Sequence, residues 1–286
     1  MRRTRTVMQT LIGAAFFAVG VTAFPAPASA ITIPVACGEN ALVAAVNLAN
    51  STAASDTLVL AGGCTYGMSS SHGSLANGQE ALPVITTPIE MIGPAVITRT
   101  SLLPFRIAEV STTGRLTLTT SVAITNGSTL GSGGGILNFG AVTLTNSSLS
   151  GNAATLNGGG LANADAPSGP APAATFTRSP VANNTALLSG GGIFNGHRGT
   201  LTTTGVSGSP LFITGNSAGV RGGGIAAVNS TATTLTQTAV TTNTAVLASG
   251  GVYRQGGTMT TTNSPISANL LNNCVGSVPA VPNCTG

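Results

Sequence analysis

"GGGILNFGAVTLTNSSLSGNAA", Gly133 to Ala154, holds three features whose return along the chain decides the fold. A glycine run precedes one aliphatic residue, Ile136. A stretch then alternates apolar and hydroxyl side chains. An asparagine, Asn152, is followed two residues later by alanine. Glycine runs return at Gly158-Gly159-Gly160-Leu161, Gly190-Gly191-Gly192-Ile193, Gly222-Gly223-Gly224-Ile225 and Gly250-Gly251-Val252. Asparagines recur at Asn126, Asn152, Asn184, Asn216, Asn243 and Asn269, spaced by 26, 32, 32, 27 and 26 residues. Counting from them aligns Ala154, Ala186, Ala218 and Ala245 at two residues on, and Leu161, Ile193, Ile225 and Val252 at nine on. Three residues before stand Ala123, Leu149, Val181, Ile213, Val240 and Ile266; eight before stand Leu118, Leu144, Phe176 and Leu235.

A unit of this length, built from two or three short alternating stretches, cannot bury an apolar face alone. Stacked on its neighbours it can. The stretches "VTLTNSSL", "LTTTGV" and "TTLTQTAV" have the period-two alternation and β-branched content of strands, and helix signals are absent from 110 to 270. The fold expected is all-β: a single-stranded right-handed parallel β-helix, one coil per repeat, with coils about 4.8 Å apart. Glycine suits corners where turns stack closely, since it takes positive φ and has no Cβ. Asparagine is the other residue expected there, through its tolerance of the left-handed region. Fixed columns of Ala, Ile and Val exclude a flexible Gly/Ser linker.

Residues 1–30 read as a signal peptide. Arg2, Arg3 and Arg5 precede an apolar stretch, and Ala28-Ser29-Ala30 supplies a small-x-small cleavage site. The apolar stretch is shorter than the ~20 residues of a spanning helix, so no membrane span is expected after cleavage. The domain expected is 31–286, divided into an N-terminal cap (31–64), irregular coils (65–110), regular coils (111–270) and a C-terminal cap (271–286). "ENALVAAVNLANS" reads as a short capping helix with Leu42, Val46 and Ala49 on one face, followed by a first strand in "DTLVLAGGCTY". Ala166 to Ala174, "APSGPAPAA", reads as a loop leaving the stack.

Of the ten Lys and Arg residues, all arginine, three belong to the signal; seven remain against six carboxylates. The exported chain is nearly neutral, and no nucleic-acid partner is expected. Cys37, Cys64, Cys274 and Cys284 allow three disulfide connectivities, and proximity favours Cys37–Cys64 and Cys274–Cys284. A four-cysteine zinc site would need a C-x-x-C spacing, which is absent. No metal or cofactor is expected.

The units "GGGILNFGAVTLTNSSLSGNAA" and "GGGIFN" resemble those of secreted bacterial right-handed parallel β-helix repeat proteins with the pectin-lyase-like fold. They are also similar to the GGA-[ILV] and F-x-x-N repeats of polymorphic outer-membrane-protein adhesins. "CGENALVAAVNLANSTAASDTLVLAGGCTY", "LPVITTPIEMIGPAVITR" and "FRIAEVSTTGRLTLTTSVAITNG" extend the likeness over nearly the whole exported chain. Glycine replaces the alanine of GGA, and no C-terminal segment is left over for an outer-membrane barrel. The resemblance implies the fold, and a cell-surface or secreted location, more than an activity.

Some β-helices of that kind are polysaccharide lyases or glycoside hydrolases. Hydrolysis needs two carboxylates flanking the bond. Beyond Glu109 only Asp165 is acidic, so the regular repeats cannot assemble a pair. Nothing in the spacing of Asp56, Glu80, Glu90 and Glu109 gathers them. His197 and Arg198, with Arg221 and Arg254 in nearby turns, read as solvated loop residues, as does His72. No catalytic residue is assigned.

A candidate face remains. Nine and seven residues before the asparagines stand Thr117/Thr119, Thr143/Thr145, Thr175/Thr177, Ser207/Ser209, Thr234/Thr236 and Thr260/Thr262. In the fourth unit Thr202/Thr204 are the alternative to the serines. In register these form two outward ladders of hydroxyls. The function expected is non-catalytic adhesion or interaction, with a glycan or cell-surface ligand as candidate partner. A polysaccharide-active enzyme and an ice-binding solenoid are the alternatives.

Overall fold

Alternating stretches such as "AVTLT" put Val142 and Leu144 on one side and Thr143 and Thr145 on the other, and each such strand pairs with its counterpart one repeat on. The computed structural model describes residues 29–73, 76–164 and 169–286. The expected signal peptide therefore lies outside the described residues except for its last two, and Asp165 also lies outside them. Among the described residues the strands form four sheets, of nine, eight, six and five strands, and all strand pairs within them are parallel. The molecule is a parallel β-helix. Each regular coil passes from the strand after the glycines (Leu161–Asn163) to the threonine strand (Ala173–Thr177), then to Val181–Ala182 and Thr185–Ala186. The fourth strand, two residues long, is too short for alternation to reveal.

The inward columns match those read from spacing where insertions do not intervene. Ile136, Leu161, Ile193, Ile225 and Val252 are paired in sequence and wholly buried. Ala154, Ala186, Ala218 and Ala245 form another column. Position 203 breaks the series Leu144, Phe176, Leu235. Thr203 is buried there and bonds the Thr238 hydroxyl across the core at 2.8 Å.

The asparagine column needs correction at two points. Asn126 does not belong to it. Thr120 and Ser121, both at positive φ, add one residue to that coil, so Ile124, not Ala123, pairs with Leu149, and Asn126 falls one position early. The remaining asparagines, unlike Asn126 at φ +58, are not in the left-handed region. That conformation falls on the residue before each: Gly151, Asn183, Gly215, Thr242 and Ala268. The asparagines point inward instead and form an amide ladder. Asn152, Asn184, Asn216 and Asn243 each donate Nδ2 to the Oδ1 of the next, at 2.9–3.0 Å, and Asn269 donates to Asn273 at 3.1 Å.

Stacked backbone and the ladder together explain the glycine runs. At Gly158-Gly159-Gly160, the first has φ +68; a Cβ on the second would meet the Gly191 and Thr185 carbonyl oxygens at 2.4 Å. A Cβ on the third would meet the Gly192 carbonyl oxygen at 2.7 Å and press on the Asn184 amide at 3.1 Å. One glycine turns the chain, and two admit the next coil's backbone, the third also leaving room for the asparagine.

The ends are covered. Helix α1 (Glu39–Asn50) buries Leu42, Ala45, Val46 and Ala49 against the first coils. The first strand is not in "DTLVLAGGCTY" but earlier, at Thr32–Val35, which pairs with Asp56–Leu60. Disulfides join Cys37–Cys64 and Cys274–Cys284, as proximity favoured. Past the last strand (Ile266–Ser267), Val281 is buried, and the Pro282 carbonyl accepts from the Thr261 hydroxyl at 2.8 Å.

Candidate binding face

Parallel pairing without slip places Thr117, Thr143, Thr175, Thr202, Thr234 and Thr260 in one outward column. Thr119, Thr145, Thr177, Thr204, Thr236 and Thr262 form the second. The threonines of the last coil are exposed and the others half-buried by their neighbours. Ser207 and Ser209 are excluded from the face. Five residues enter after Thr204 rather than before Thr200, and Val206 and Ser209 bridge antiparallel in the resulting turn.

The first column runs further than its spacing indicated. Thr117 is preceded in register by Glu90, Thr57 and Thr32, so one carboxylate interrupts a file of hydroxyls. The Thr119 hydroxyl donates to Glu90 at 3.3 Å. Beside the threonines runs a column of Pro88, Arg115, Ala141 and Ala173. This column floors a groove of about 580 Å³, walled by Thr112, Thr113, Pro170 and Ala171. The described part of the expected loop thus borders the face. With hydroxyls, small side chains and one cation, the face can hydrogen-bond a neutral polar surface; strong attraction to a polyanion is beyond it.

Two of the four acidic residues of the early coils, Glu80 and Glu109, do meet, which their spacing had not suggested. Arg106 Nη1 lies 3.1 Å from Glu80 and 3.3 Å from Glu109, with all three side chains buried. Burial pushes the Arg106 pKa down, and the two carboxylates push it back up. Its Nη2 donates to the Asn77 carbonyl at 2.7 Å, under a cavity of about 560 Å³ lined by Asn77, Gln79, Leu103 and Thr129. Two carboxylates closed on a guanidinium hold no open space for a scissile bond between them. A sequence signal existed: Glu80 and Arg106 are 26 residues apart, one coil, and bridge in register.

The remaining candidates disperse. Asp56 accepts from the Ile31 N–H and the Thr52 hydroxyl. His72 joins Glu39 at 2.9 Å, where Ser69 and Ser70 also donate. Burial alone would raise the Glu39 pKa, but hydrogen bonds from the Ser69 side chain and backbone, His72 and the Ser70 backbone outweigh it and lower it to about 2. His197 is exposed, and Arg198 donates to the Gly169 carbonyl. Arg254 donates to the Gly256, Gly257 and Ala280 carbonyls. Arg221 lies over the Tyr253 ring. Among the described residues no group of three or more His, Cys, Asp or Glu could hold a metal, and no helix is long and apolar enough to cross a membrane.

No protein-family model, curated protein or solved structure matches the chain.

Proposed function

We propose that this chain is an exported, non-catalytic β-helix protein that adheres to a cell-surface or extracellular ligand through its threonine columns, with a neutral glycan as the favoured partner. The observation that carries the reading is the unbroken register of two hydroxyl columns over six coils, bordered by the groove at Arg115 and Ala141. A repeating polymer meets a repeating surface there, and many weak hydroxyl contacts sum along it. Kinship with pectin-lyase-like repeat proteins and with adhesin repeats belongs to the same proposal. Its support is the glycine and asparagine repeat and the parallel coil, and two disulfides suit an oxidising location.

The test is retention of the purified protein on cell walls and insoluble polysaccharides. Thr143→Tyr and Thr234→Tyr, which raise bulk in the middle of the face, should each reduce retention severalfold while leaving the far-UV spectrum unchanged. Retention unaffected by both substitutions refutes the assignment of the face. Release of reducing ends or unsaturated products would favour the polysaccharide-active alternative. The regular Thr-x-Thr array also supports a second reading, adsorption to ice. Thermal hysteresis abolished by the same two substitutions would establish it, and none in the native protein would dismiss it.

A further inference from the structure

The arginines of this protein divide by what their guanidinium groups touch. Arg99 and Arg254 spend theirs on backbone carbonyls, and Arg106 on Glu80 and Glu109 as well as the Asn77 and Ser132 carbonyls, so that all three hold loops and coil ends together. Arg221 does not. Its Nη1 donates to the Tyr253 phenol oxygen at 2.6 Å, and its guanidinium carbon lies 4.6 Å from the centre of that ring. Among the described residues no carboxylate pairs with it, the ion pairs being His72–Glu39 and those of Arg106. A planar cation laid on an aromatic ring keeps most of its N–H donors at its edge.

Arg221 lines a shallow, open cavity of about 360 Å³, beside the sheet that follows the glycine runs and apart from the threonine face. From this sheet Phe194, Val228 and Gln255 line it. Phe194, Ala226 and Tyr253 succeed one another in one outward column. The two aromatic rings are thus two coils apart, roughly 10 Å, with only a methyl group between them. Phe194 and Val228 give the cavity apolar walls on one side. Leu188 and Val220 do so on the other, joined by the bond from the Val220 N–H to the Leu188 carbonyl. Asn157, Ser189 and Gln255 add neutral polar groups, and Arg221 is the one charged residue lining it.

We infer that this cavity binds a small monocarboxylate with an apolar body. The carboxylate would meet the unspent donors of Arg221, a fork that matches two carboxylate oxygens. The apolar body would lie between Phe194 and the Leu188–Val220 wall. A volume of this size accommodates a small organic acid. The site is independent of the adhesion reading, which uses another sheet. Free organic acids and the C-terminal residue of a peptide both present this chemistry.

The chain has no tryptophan and two tyrosines, Tyr66 and Tyr253. Tyr66 is buried and bonded to the Val35 carbonyl, so a change in tyrosine emission on ligand addition reports Tyr253. The probes are N-acetylleucine, its uncharged amide and sodium sulfate, followed by emission and calorimetry. A short peptide ending in leucine separates the two sources, since it binds with N-acetylleucine only if the cavity admits a chain terminus. N-acetylleucine should saturate in the millimolar range. The amide, and the acid with Arg221→Gln, should bind roughly tenfold to a hundredfold more weakly, as for loss of a charged hydrogen bond. Phe194→Ala, which leaves the charge in place, should also weaken binding, and circular dichroism confirms that both variants fold. No saturable binding of the acid overturns the inference. So does an amide that binds equally, sulfate that competes equally, or full affinity in Phe194→Ala.

Discussion

Replacing Asn184 by alanine tests the amide ladder at its middle. Four hydrogen bonds go at once. Asn184 Oδ1 accepts from the Asn152 N–H and Nδ2 at 3.0 Å each, and its Nδ2 donates to the Leu149 carbonyl at 3.1 Å and Asn216 Oδ1 at 3.0 Å. Asn152 Nδ2 keeps a bond to the Ile124 carbonyl, and Asn216 Oδ1 keeps the Asn184 N–H. The Asn152 N–H, in a residue 1 % exposed, keeps nothing. Three bonds at about 1 kcal/mol net each, and an orphaned buried donor at about 1–3 kcal/mol, bring the loss to about 4–6 kcal/mol. Asn157→Ala is the control. Its carbonyl accepts one bond, from the Ser189 N–H at 3.1 Å, and its removal should cost about 1 kcal/mol. Guanidinium titration followed by far-UV circular dichroism measures both. A loss at Asn184 no greater than at Asn157 would refute the claim that the ladder, rather than apolar stacking alone, holds the coils in register.

Three further outcomes follow from the same geometry. Gly159→Ala drives a Cβ to 2.4 Å from two backbone oxygens, which cannot rotate away, so it should cost about 1–3 kcal/mol or more by the same titration; Gly151→Ala, with open space around it, isolates the φ penalty alone. Replacing both Cys37 and Cys64 by serine frees a loop of 27 residues and should cost roughly 3.5 kcal/mol; the Cys274–Cys284 pair, with a separation of 10, should cost roughly 2.7 kcal/mol. Equal melting temperatures for native and variant proteins would contradict the loop argument. Glu39 has its folded pKa lowered from 4.5 to about 2, so its stabilising effect is complete above pH 4.5 and disappears as pH falls through 2. Glu39→Gln should flatten that part of the stability profile, and parallel acid profiles for the two proteins would show that the Ser69–His72 cluster does not hold the carboxylate.

What the sequence discloses about this fold depends on where insertions fall. Between Asn152 and Val252 the glycine runs and aliphatic columns are separated by whole coils, so counting from one asparagine finds Leu161, Ile193, Ile225 and Val252 without error. Counting backwards across a turn fails as soon as the turn changes length. One added residue at Thr120-Ser121 misplaces Asn126, and five after Thr204 exchange Ser207/Ser209 for Thr202/Thr204. The inward turn of the asparagines was hidden for a different reason. Asparagine suits a left-handed corner and a buried amide column equally well, and composition does not separate the two. Nor does the third glycine, since a Cβ at Gly160 would meet the Gly192 carbonyl oxygen at 2.7 Å before the Asn184 amide at 3.1 Å; what separates them is the recurrence of the asparagine one coil away, where amides bond each other. The same reasoning applies to contacts between charged residues. In a helix, partners are sought at three or four positions; in a solenoid they are sought one coil away. Glu80 and Arg106, 26 residues apart, meet that rule, and a carboxylate and a guanidinium in register across adjacent coils form a pair before any other contact is considered. Glu109 stands in register with the buried Leu137, next to the apolar column of Ala108, Ile136 and Leu161.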